Sequence, residues 1–83
     1  MTKEWYFVRK LNSHEQPFSA ARFEVQILDD DGRAIAIGYL MADTTELLID
    51  DRSVPQPVLE AAKQRTVGQG EYVGSDGQVL PPF

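Results

Sequence analysis

No cysteine occurs among the 83 residues. That excludes a disulfide framework and a thiolate metal site, and it fits a reducing compartment. No apolar run approaches the roughly 18 residues that span a membrane. The opening stretch, MTKEWYFVRKL, lacks the apolar core and small-residue cleavage site of a secretory signal. The expected location is therefore the cytoplasm, with no membrane partner. Histidine occurs once. His14 lies among polar residues with no second histidine and no regularly spaced carboxylates, so it reads as a solvated loop residue and not as a base or ligand. Basic residues are few: eight Lys and Arg stand against thirteen Asp and Glu, a net charge of −5. Affinity for nucleic acid comes largely from cations at phosphates, and no basic stripe exists here, so nucleic acid is not an expected partner.

Catalytic motifs are missing too. No serine sits in a G-x-S-x-G elbow. Gly68 and Gly70 follow a helical stretch instead of preceding one, so they cannot offer helix N–H groups to a phosphate. The expectation is a non-catalytic chain with no cofactor.

What is present is a length suited to one small domain spanning 1–83, with an apolar share of 42% and eight aromatic residues, four Phe, three Tyr and one Trp. The chain is organised around Arg22 to Met41. Phe23, Val25 and Ile27 alternate with polar residues, and Ile35, Ile37, Tyr39 and Met41 alternate beyond an Asp29-Asp30-Asp31-Gly32 turn. A period of two on both sides of such a turn predicts a β-hairpin. A three-residue loop, Asp30-Asp31-Gly32, pairs Ile27 with Ile35, Val25 with Ile37 and Phe23 with Tyr39. That register collects the large apolar residues on one face, and Gly32 takes the left-handed position. Extending the argument, Glu46 to Asp50 forms a next strand, with Leu47 opposite Met41 and Ile49 opposite Tyr39. The other face, with Ala34, Ala36, Gly38 and Leu40, is only half suited to burial.

Around the hairpin, Glu4 to Leu11 reads as a strand apolar on both faces. Asn12 to Ala20 reads as a loop, with Phe18 folded back on the sheet edge. Pro57 opens a short amphipathic helix that ends at Gly68, with Val58, Leu59, Ala62 and Thr66 on its inner face; Ser53 and Gln56 offer a competing capping box. Glu71 to Val73 and Gln78 to Leu80 flank a Gly-Ser-Asp-Gly turn, and Pro81-Pro82-Phe83 forms a tail that frays or docks. The predicted fold is α+β: a mainly antiparallel β-meander of about four strands, one short helix packed on one face and a short C-terminal hairpin.

Two groups of residues stand out as a candidate partner-binding surface. Trp5 and Tyr6 are the aromatic types that dominate binding hot spots, although packing in the core explains them as well. Asp29, Asp30, Asp31, Asp50 and Asp51 belong to a segment, residues 29–51, that holds seven acids against Arg33 alone. A calcium loop needs alternating oxygen ligands and a closing Glu, which consecutive aspartates do not supply, so no metal is expected. These features lead to a small protein-interaction module, binding a protein partner or itself as a homodimer through an exposed strand edge or aromatic patch. The alternatives are an acidic charge mimic that blocks a basic partner and a small-ligand domain with a pocket near Gly38 and Ala62.

Overall fold

The first strand takes the centre of the sheet because both of its faces are apolar. In the computed structural model, which describes residues 4–80, β1 (Trp5–Lys10) is flanked by β2 (Ala21–Leu28) and β6 (Gly70–Gly74), both antiparallel to it. The hairpin partner β3 (Ala34–Met41) forms one edge and the short β7 (Val79–Leu80) the other, giving the order β3-β2-β1-β6-β7. A separate two-stranded ribbon, β4 (Leu48–Ile49) with β5 (Arg52–Ser53), and one helix, α1 (Gln56–Lys63), lie between β3 and β6 in the chain. The fold is α+β with an antiparallel sheet and one short helix, as the sequence predicts. The C-terminal hairpin forms as expected, and it joins the main sheet through the pairing of β6 with β1. The tail 81–83 lies outside the described residues.

Helix α1 packs on β1, β2 and β6. Its Val58, Leu59, Ala61 and Ala62 are buried against Tyr6, Val8, Val25, Ile27 and Val73. Pro55 is its N-cap, with no side-chain cap bond, so the Ser53 capping box does not form; Ser53 belongs to β5. The helix stops at Lys63, short of Gly68. Gly68 does adopt a left-handed φ of 82°, but its N–H donates to the Lys10 carbonyl and Val67 bridges to Lys10. The chain after Lys63 is thus tied to the end of β1, and Thr66 is left exposed.

The β2–β3 turn forms as expected and the register beyond it does not. The Asp29 N–H donates to the Arg33 carbonyl at 2.9 Å, the Gly32 N–H donates to the Asp29 carbonyl at 3.0 Å, and Gly32 has φ 82°. Leu28 then pairs with Ala34, but Ile27 pairs with Ala36 and Val25 with Gly38. Ile35 is an extra residue on β3, a β-bulge that flips every side chain after it. So Ala36, Gly38 and Leu40 face the core, while Ile37, Tyr39 and Met41 face away from it.

The cause lies in the segment that follows β3. Instead of adding a strand beside β3, Leu47 and Ile49 cross the inner face, and a Cβ on Gly38 would lie only 2.7 Å from Ile49 Cγ1. Only the small face of β3 admits that approach. Leu47 and Ile49 reach the core as predicted, but their neighbours there are Gly38 and Leu40, not Tyr39 and Met41. The ribbon closes with Asp50 and Asp51 at φ 52° and 61°. Two consecutive left-handed residues make a type I′ turn, which aspartate tolerates better than most residues.

Candidate functional site

The helix covers one face of the sheet, and the opposite face stays open. Three rows of cross-strand neighbours build it. The longest runs Leu80, Tyr72, Phe7, Gln26, Ile37 across all five strands. Beside it lie Gly74, Trp5, Leu28 and Ala34 on one side, and Gly70, Arg9, Glu24 and Tyr39 on the other.

The aromatic residues of this face pack on one another. The Phe7 and Tyr72 rings are 5.1 Å apart in a tilted pair, and Phe7 lies directly over Gly70, where a Cβ would meet the ring at 2.3 Å. Phe18 folds back from its loop onto Tyr39 of the edge strand β3, the ring centroids 6.0 Å apart and the planes nearly perpendicular, as the sequence suggests. Polar groups of the face are held by one another. Glu24, buried, accepts from Arg9 Nε at 3.4 Å and Arg9 Nη2 at 3.3 Å, and also from Gln26 Nε2. Arg9 Nη1 reaches Glu15. The Glu15 hydrogen bond, followed by that of Glu24, pushes the Arg9 guanidinium pKa above its ordinary value, and the same bond lowers that of the Glu15 carboxyl. This cluster is an ionic clasp between loop and sheet.

At the turn end of the face lies an open pocket of about 400 Å³. Trp5, Tyr72, Leu28 and Leu80 give it an apolar, aromatic lining, and the Asp29–Gly32 turn gives it an acidic lip. The three aspartates are not equivalent. Asp29 Oδ1 accepts from the N–H groups of Asp31 and Arg33, both at 2.9 Å, and so holds the turn together. Asp30 and Asp31 are exposed, and their carboxylates have no partner among the described residues.

Of the residues singled out in the sequence, Trp5, Asp29, Asp30 and Asp31 come together here. Tyr6 does not. It points into the core, 2% exposed, and its hydroxyl donates to Glu4 Oε2 at 2.8 Å. Burial and the Glu4 carboxylate push its pKa up to about 12. Asp50 and Asp51 also lie elsewhere, on the turn of the ribbon that crosses the core face. The space over Gly38, one boundary of the pocket anticipated between sheet and helix, is filled by Ile49 and Leu47.

The sequence reading missed the exposed side of β3. Ile35 and Ile37 are 57% and 52% exposed and Met41 41%. The signal for it was the pair of small residues Ala36 and Gly38, on the face that another segment must approach closely. Among the described residues no His, Asp and Glu set is grouped to hold a metal ion, and no helix is long and apolar enough to cross a membrane. Comparison with protein-family models, with curated proteins and with solved structures finds no significant match.

Proposed function

We propose that this chain is a small non-catalytic interaction module that docks a protein partner on the open face of its sheet. The observation that carries this reading is the exposure of Ile37 on a face that also holds Trp5, Phe7, Tyr72 and Leu80. Large exposed apolar residues gathered on one face of a sheet are a feature of interaction sites. Large aromatics are the residues from which binding hot spots are built. The acidic lip adds direction: Asp30 and Asp31 favour a partner segment that brings Lys or Arg beside an apolar anchor.

The test is capture of partners from lysate by the tagged protein, with Ile37→Glu and Trp5→Ala alongside and elution in a salt gradient. A stoichiometric partner held by the wild type and lost by both variants supports the reading. A partner retained by both refutes it. The unpartnered carboxylates of Asp30 and Asp31 favour a second reading, an acidic surface that mimics nucleic-acid charge. Exposed charges are screened beyond about 8 Å at physiological ionic strength. That partner would elute at low salt from the wild type and would be insensitive to Ile37→Glu.

A further inference from the structure

We infer that β3 pairs with β3 of a second copy, antiparallel about a two-fold axis at Gly38, so that two five-stranded sheets become one of ten strands. This goes beyond the docking of a partner on the open face, and it rests on the edge of the sheet instead.

A long unguarded edge strand is rare in a protein that stays monomeric, because its outward N–H and C=O groups template pairing with another chain. Evolved edges are blunted by charge, proline or brevity. The β7 edge is blunted by brevity, with two residues. The β3 edge has eight residues, AIAIGYLM, with neither a charge nor a proline. Among the described residues, no backbone hydrogen bond beyond the β2 ladder reaches Ile35 to Leu40. The bulge does not spoil this edge, since it falls at Ile35 and leaves Ala36 to Leu40 regular, a stretch whose midpoint is Gly38.

Charge selects the same register. With the axis at Gly38, Ala36 lies opposite Leu40 and Ile37 opposite Tyr39 of the second copy. Arg33 is then carried to the turn that bears the partner's Asp43, and symmetry repeats the contact. Arg33 is the one cation of residues 29–51. Both Arg33 and Asp43 are exposed, and neither side chain has a partner among the described residues. Centring the axis on Ile37 would place Arg33 opposite Met41 and lose the ion pairs. In the chosen pairing the two acid-lipped pockets open on the same side of the continuous sheet. The dimer therefore offers two docking points to one extended partner.

Sedimentation velocity of the untagged protein, over a series up to about 1 mM, tests the proposal. The chain sediments as a dimer at the upper concentrations. Arg33→Asp or Asp43→Arg alone sets like charges against each other twice and weakens the dimer by about tenfold or more. The double variant Arg33→Asp/Asp43→Arg restores the wild-type constant to within about threefold. Urea midpoints near wild type show that the variants are folded. A monomer at every concentration overturns the proposal, and so does a dimer indifferent to both single changes or not restored by the double one. None of these outcomes depends on Trp5, so the edge pairing and the docking surface stand or fall separately.

Discussion

Gly38→Ala separates the two registers of the β2–β3 hairpin by the sign of its effect. In the structure Gly38 faces inward, and a Cβ there meets Ile49 Cγ1 at 2.7 Å, Ile49 Cδ1 at 3.0 Å and Leu47 Cδ1 at 3.6 Å. Ile49 is β-branched and 3% exposed, so its χ1 cannot swing aside freely. Overpacking of this kind costs about 1–3 kcal/mol. Replacing a glycine within a strand returns about 0.5–1 kcal/mol, because alanine loses less backbone freedom on folding. The expected net loss is about 1–2 kcal/mol. In the register that buries Ile37, residue 38 faces solvent and the same change stabilises by about 0.5 kcal/mol. Urea unfolding read as the midpoint at unchanged m-value measures the difference. Ile49→Ala in the Gly38→Ala background removes both close atoms, so the two substitutions are non-additive and the glycine change becomes nearly neutral there. A stabilised Gly38→Ala, or strict additivity with Ile49→Ala, would refute the assignment of faces.

Other substitutions probe the remaining parts of the structure. Gly70→Ala forces the Phe7 ring off β6, where its Cζ lies 2.3 Å from the added Cβ, and costs about 1–3 kcal/mol in urea unfolding; Phe7→Leu in the same chain relieves most of that cost. Ile37→Glu changes the unfolding free energy in urea by less than about 1 kcal/mol, because its side chain is on the open face, whereas burial there would cost several times more. Tyr6 keeps its proton to about pH 12 when folded and loses it near 10 when unfolded. Stability therefore falls as pH rises from 10 to 12, by up to about 3 kcal/mol, and Tyr6→Phe flattens that fall. The folded Glu15 carboxyl is lowered by its bond to Arg9, so its contribution is lost as pH falls through the acid range; Glu15→Gln removes that part of the acid limb of the stability curve.

The elements whose identity depends on local chemistry could be read from the sequence, and those that depend on distant contacts could not. Gly32 marked the left-handed end of a three-residue turn, and the turn formed there. The two-sided apolar pattern of Trp5 to Val8 implied a central strand or an exposed aromatic, and β1 is central. Nothing in the turn itself marks the bulge at Ile35. It exists because Leu47 and Ile49, ten or more residues on, occupy the inner face and need Gly38 beneath them. Pairing Ile49 with Tyr39 was the natural choice for a meander, but Asp50 and Asp51 adopt left-handed angles and turn the chain back on itself. Read as acids they looked like surface charge. Read as a type I′ turn they would have closed a ribbon at Ile49, and the meander would have ended at β3.

The same distinction governs the site. Trp5, Tyr6 and the aspartates stand out by residue type, and type alone does not say which way a strand residue points. Tyr6 and Trp5 are neighbours in sequence and therefore opposite in space: one supports the helix and the other lines the pocket. That parity makes the aromatic pair a controlled experiment. Tyr6→Ala removes a core side chain and lowers stability by about 3–5 kcal/mol. Trp5→Ala, on the partly exposed face, costs less. A partner lost by Trp5→Ala at a urea midpoint near wild type is lost through the surface. A partner lost only by Tyr6→Ala, in step with unfolding, was never held by an aromatic anchor at this end of the sheet.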